Sequence, residues 1–241
     1  MSKKVKHSLP AHGRMERGER ELWETVYADH CGPFPPQAGG GQTYITAFLE
    51  GKQDMSYLFR GGIPRAATTV EYYESLDNLV RRTCDGIEHL RTDEGPDWRS
   101  EEMRAARGTR LTNSLVDGHG QNRVERLFRT LQERAAAAVL QAGFDNRYLF
   151  YAMEAVNFIQ NHVVRNGTSR YVAAHGPDPC AVQFFPWGCR VTAVAPRRKS
   201  EPLGNGKEYW LMGYSSTHFG GYLLQCQETE RVVTRGDIDS A

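Results

Sequence analysis

Three acidic residues stand where carboxylates can do phosphoryl chemistry: Asp29, Asp93 and Glu125. Asp29 closes the apolar run Glu24-Thr-Val-Tyr-Ala-Asp29, and Asp93 closes Gly86-Ile-Glu-His-Leu-Arg-Thr-Asp93. Glu125 opens a long amphipathic stretch that also carries Arg123, Arg126 and Arg129. Two carboxylates at strand ends and a third on a facing helix can hold a pair of divalent metals, because Mg²⁺ takes hard oxygen ligands. Such a pair activates a water or a 3′-hydroxyl and stabilises the attacking and leaving oxygens of a phosphodiester displacement. His119, Gln121 and Asn122 lie just before Glu125, in position to contact a nucleic-acid end. Each acid also has a purely structural reading. Asp29 and Asp93 both precede turn-forming residues, and Glu125 follows Asn122 at the spacing of a capping box. With 29 acidic residues in the chain, spacing alone does not single out these three.

The elements that must carry them can be read from periodicity. Strands are expected at Leu22 to Asp29, Thr43 to Leu49 and Met55 to Phe59, the last two joined as a hairpin by a charged turn. Pro33, Pro35 and Pro36 exclude a central strand between the first two. Three successive strands predict an antiparallel edge to a mixed sheet. Ala66 to Cys84 has helical spacing, with Thr68 or Thr69 as N-cap. A strand leads to Asp93, Ser100 caps a short helix, and residues 109–115 are a short extended segment. Helices follow over 122–141, ended by Gly143, and over 147–164. Residues 165–180 read as a linker. Five short strand candidates then make a small all-β unit, such as a barrel, with the basic loop Arg197, Arg198 and Lys199. The domain organisation expected is a basic flexible arm over 1–20, a core over 21–165, a linker over 166–180 and a β domain over 181–238.

Composition narrows the class. Of 241 residues, 39% are apolar and 24% charged, which is globular rather than disordered. The net charge of +1 makes any nucleic-acid surface a matter of local clustering. The first twenty residues are one such cluster, with Lys3, Lys4, Lys6, Arg14, Arg17 and Arg20 against Glu16 and Glu19. That segment has no long apolar run, so neither a signal peptide nor a membrane span is expected. Five cysteines without a CxxC argue against a disulfide framework. His30 and Cys31 are adjacent in a strand and point to opposite faces, which disfavours a Cys–His nucleophile pair.

In context, the acids carry a resemblance. Val26-Tyr-Ala-Asp29-His-Cys-Gly-Pro33, Leu90-Arg-Thr-Asp93-Glu-Gly95 and Gln121-Asn-Arg-Val-Glu125-Arg-Leu-Phe-Arg-Thr-Leu131 resemble, in order, the three acidic motifs of the integrases of copia-type long-terminal-repeat retrotransposons. Gln141-Ala-Gly143, the helix around Ala152 to Asn161, Trp187-Gly-Cys-Arg190, Leu211-Met-Gly-Tyr-Ser-Ser216 and Arg235-Gly-Asp237 resemble later segments of the same family. The resemblance implies a ribonuclease-H-like core, an α/β fold with a mixed five-stranded sheet flanked by helices, followed by the small all-β domain. It implies DNA 3′-end processing and strand transfer with Mg²⁺ or Mn²⁺, with Asp29, Asp93 and Glu125 as catalytic metal ligands. It further implies DNA contacts at Gln121, Asn122 and Arg126, with Arg123 beside them a further candidate from its charge and place, multimers on DNA ends, and a location in nucleus or cytoplasm. The basic loop Arg197, Arg198 and Lys199 adds a candidate DNA contact. The chain departs from the family in a shorter interval between Asp93 and Glu125, in Glu94 and in Arg123. The alternatives are a non-catalytic DNA-binding or assembly protein that keeps the fold, and a nuclease that hydrolyses without strand transfer.

Overall fold

A computed structural model describes residues 21–93, 95–107, 123–177, 183–194, 206–215, 220–236 and 238–240. Strands β1 (Thr25–Cys31), β2 (Tyr44–Glu50) and β3 (Ser56–Gly61) run antiparallel in succession. A fourth, β4 (His89–Arg91), lies parallel to β1, giving the order β3-β2-β1-β4. A parallel return needs a crossover, and α1 (Ala66–Val80) supplies it. Strand alternation sorts the faces. Val26, Ala28 and Phe48 pack with Tyr73, Leu76 and Val80 of α1, with Trp98, and with Met103 of α2 (Glu101–Arg107). Tyr27, Ile45, Ala47 and Leu49 pack on the other face beneath α3 (Arg123–Ala142) and α4 (Leu149–His162). The α3 stripe Val124, Leu127, Phe128, Leu131, Ala135 and Val139 is buried, as its spacing predicts. This is a ribonuclease-H-like mixed sheet with helices on both faces. The sheet has four strands among the described residues where five are expected, and the expected extended segment 109–115 lies outside those residues.

The boundaries differ from expectation in ways that matter for the site. β1 runs to Cys31, so Asp29 lies inside the ladder opposite Ala47 rather than at its end. β4 stops at Arg91, two residues short of Asp93. Helix α1 ends at Val80, not Cys84, and its N-cap is Arg65 with no side-chain bond. Thr69 is fully buried instead, and its hydroxyl donates to Asp97 at 3.3 Å. Ser100 does cap α2, accepting from the Met103 amide at 3.1 Å. Gly143, at φ +74°, ends α3 with the paired bonds Phe144 N–H to Val139 at 3.1 Å and Gly143 N–H to Leu140 at 3.2 Å, the double bond of a Schellman cap.

The second sheet is antiparallel throughout: β5 (Arg190–Val194), β6 (Gly206–Tyr214), β7 (Tyr222–Cys226), β8 (Val232–Arg235) and β9 (Ile238–Ser240), in the order β8-β7-β6-β5-β9. Residues 183–185, the described part of the first strand expected over 181–185, are not in a strand, and β9 adds a strand at the end that periodicity does not predict. Helix α4 serves both units. Phe150, Ala152 and Met153 enter the first core, whereas Ala155, Phe158 and Ile159 pack with Val191, Leu211 and Tyr214 of the second. The stretch expected as a linker holds built structure. Arg165 and Thr168 bridge across Asn166 (φ +53°) and Gly167 (φ +86°), a turn that favours this residue pair. A short helix α5 (Arg170–His175) follows, capped by Ser169, and buries Ala174 in the first core.

Candidate active site

Asp29 follows Tyr27 by two residues in β1 and so shares its face, the one covered by α3. Its Oδ1 accepts the His30 amide at 2.8 Å. Glu125 is exposed in the first turn of α3, 3.7 Å from the Arg129 guanidinium. Asp29 and Glu125 line one pocket of about 270 Å³, together with His30, Cys31, Phe128, Arg129 and Gln132.

Asp93 does not line that pocket. The parallel register pairs Tyr27 with Arg91, so two further steps along both strands would set Asp29 and Asp93 level on the same face. The ladder stops first. Asp93 is exposed, and its Oδ1 accepts the Gly95 amide at 3.2 Å. Among the described residues no three His, Cys, Asp or Glu side chains gather as a metal-holding group. The oxygen donors match Mg²⁺ or Mn²⁺ in kind, and two of the three carboxylates share a pocket. As placed, they do not form a complete ion site.

Nearby lies a contact that leaves no signal in the sequence. The His30 ring turns to the opposite sheet face and stacks on Trp98 at 4.6 Å. Its Nδ1 pairs with the Thr46 hydroxyl at 2.8 Å and its Nε2 with Asp97. Burial pushes the Asp97 carboxyl up, but the hydrogen bond and charge of His30, with help from Thr69, hold it below the usual range. Cys31 faces the other way and accepts from Gln132 Nε2 at 3.1 Å. Burial, then the Asp29 charge, lift its thiol to about 11 despite that bond. A thiol so protonated at neutral pH is a poor nucleophile, which agrees with the reading against a Cys–His pair.

The predicted DNA contacts divide. Arg123 pairs with Asp54, donates to the Gly51 carbonyl at 2.5 Å and lies 5.2 Å over the Tyr27 ring. Arg126 lines a second pocket with Arg123, on the flank of α3 away from Glu125. Gln121, Asn122, Arg197, Arg198, Lys199 and the basic arm lie outside the described residues. No described helix is long and apolar enough to cross a membrane.

No protein-family model matches the chain. Over 231 residues, 91% of its length, the chain is 22% identical to the retrovirus-related Pol polyprotein from transposon TNT 1-94 of Nicotiana tabacum. The match spans 17% of that polyprotein. Among solved structures the chain is similar to the HTLV-2 integrase catalytic core domain in complex with magnesium, dimeric form, at 14% identity, 64% of this chain, 97% of that one and TM-score 0.48. It is also similar to a chain from the simian T-cell lymphotropic virus intasome in complex with PP2A regulatory subunit B56 gamma, at 13% identity, 92% of this chain, 83% of that one and TM-score 0.48.

Proposed function

We propose that the chain is an integrase-like polynucleotidyl transferase core of the copia type, acting in DNA 3′-end processing and strand transfer. The observation that carries this reading is the shared pocket of Asp29 and Glu125 on one face of a ribonuclease-H-like sheet, with Asp93 just beyond the strand parallel to β1. The order of the three acidic motifs and the likeness to a Pol polyprotein over 91% of the chain support it. Asp29, Asp93 and Glu125 are the residues that would hold Mg²⁺ or Mn²⁺; a bound metal there supplies Lewis-acid activation of a phosphodiester. Arg129 and Gln132, in the same pocket, offer N–H donors to phosphate oxygens. Gln121, Asn122, Arg123 and Arg126, with the loop Arg197, Arg198 and Lys199, are proposed to grip DNA. Assembly of several copies on DNA ends and a location in nucleus or cytoplasm belong to the same reading. So do the basic arm over 1–20, the core over 21–165, the connecting segment over 166–180 with its short helix α5, and the β domain over 181–238.

The test is cleavage and joining of a labelled DNA duplex, with plasmid nicking run beside it, for the native chain and Asp93→Asn. Activity that needs Mg²⁺ or Mn²⁺ and falls roughly 100-fold or more in the variant is expected. Joined products identify a transferase, and cleavage alone a hydrolytic nuclease. One observation favours a second reading: among the described residues the three carboxylates do not gather as a metal-holding group, which suits a protein that kept the fold for DNA binding or assembly. DNA binding that is indifferent to metal and to Asp93→Asn, with no cleavage above the variant, would select it.

A further inference from the structure

On the flank of α3 away from Glu125 lies a second pocket, of about 240 Å³. Its walls come from several parts of the chain. Arg123, Arg126 and Arg134 recur along one stripe of α3. Asp54 comes from the turn between β2 and β3, Arg165 from the connection between α4 and α5, and Arg170 from the start of α5. The pocket therefore sets five arginines against one aspartate, and that aspartate is already paired with Arg123. Arg170 is held in place by donating to the Asp54 carbonyl at 3.1 Å. Arg165 is set by the Asn166-Gly167 turn. Arg126, Arg134 and Arg165 form no ion pair among the described residues.

The pocket also holds an unmet donor. Gln160, near the end of α4, is 8% exposed and lines it, and its Nε2 has no hydrogen-bond partner among the described residues. A buried amide N–H without a partner costs about 1–3 kcal/mol, so the fold gains if an acceptor fills the space in front of it. A site lined by guanidinium forks and an amide donor calls for a multivalent oxyanion, and arginine is well matched to phosphate. The cavity has room for roughly eight waters, enough for a phosphate or a pyrophosphate group. We propose that this pocket is a phosphate-binding site separate from the carboxylate pocket. Its occupant is either the backbone of a nucleic acid or a free phosphorylated ligand. The site stands on residues other than Asp29, Asp93 and Glu125, so its test is independent of the catalytic reading.

The experiment is isothermal titration of the full chain with pyrophosphate at fixed ionic strength, repeated with a DNA duplex as competitor. The proteins are the native chain, Arg134→Gln with Arg165→Gln, Gln160→Leu, and Arg82→Gln as an exposed charge control in the turn that follows α1, outside the pocket lining. Saturable pyrophosphate binding is expected, weakened about tenfold or more in the double variant and about threefold or more in Gln160→Leu. The Arg82 control should stay within about twofold, since a distant exposed charge is screened. Competition by duplex assigns the site to nucleic-acid backbone; pyrophosphate binding untouched by duplex assigns it to a free phosphorylated ligand. Native-like thermal unfolding in each variant ensures that lost binding reports the site. The proposal is overturned if pyrophosphate does not bind saturably, or if folded double variant binds it as well as the native chain. Asp93→Asn should bind pyrophosphate normally whatever its activity.

Discussion

Cys31 and Cys226 differ in reactivity because of their neighbours. Burial and Asp29 lift the Cys31 thiol to about 11, whereas hydrogen bonding from Thr229 holds Cys226 below its usual value. Peptide mapping after brief iodoacetamide treatment near neutral pH should find Cys226 alkylated well before Cys31, by roughly tenfold or more. Equal labelling would contradict the packing of Cys31 against Gln132. Asp97 sets a pH dependence. Its carboxyl is depressed in the folded state, so its contribution to stability is present above the ordinary aspartate range and fades as pH falls through the folded value. Asp97→Asn should cost about 1–3 kcal/mol near neutral pH, as a charged hydrogen bond is lost. Urea midpoints of the variant and the native chain should converge in strong acid. The candidate acids were legible as residues, since each sits in a recognisable local string. The His30–Asp97 contact was not, because it joins residues 67 positions apart through a stack on Trp98.

Elements followed their periodicity wherever one face was apolar. Helix α3 is the clearest case, with its buried stripe and its glycine stop. A Cβ at Gly143 would meet nothing within 4 Å, so Gly143→Ala isolates the backbone cost of φ +74°. About 1 kcal/mol of destabilisation is expected in urea melts, and no change would show that the C-terminal turn relaxes freely. Helix α4 hid more. Its Asn157 and Asn161 look like solvent-facing polar positions but are buried. Both donate to the Ser56 carbonyl, at 3.0 and 2.8 Å, and Asn157 accepts the Ser56 hydroxyl at 2.5 Å. Asn157→Leu should destabilise by about 1–3 kcal/mol, because it leaves a buried hydroxyl without its acceptor. Helix α5 was read as linker because six residues between glycines and prolines carry too little pattern to register. It persists through its Ser169 cap and the burial of Ala174.

Across the whole molecule, α4 binds the two sheets into one packed body, with Phe158 stacked on Tyr214 at 4.7 Å. Phe158→Ala removes that contact and should cost about 3–5 kcal/mol at full burial, and less here since Phe158 is partly exposed. Hydrogen exchange should then speed up in β6 and β7 and in the amides of α4 alike; change confined to the second sheet would mean that the units are energetically separate. The amino-acid order by itself determined the first strands and the helices α1 to α4, the apolar faces and the identity of the acidic motifs. Those depend on side-chain periodicity and on turn residues acting over a few positions. Only the tertiary structure decided that Asp29 and Glu125 share a pocket that Asp93 does not line. It alone gathered Arg134, Gln160, Arg165 and Arg170 around one cavity. Such groupings depend on where a ladder stops and how helices cross, and these are settled by long-range packing that leaves no local trace in the chain.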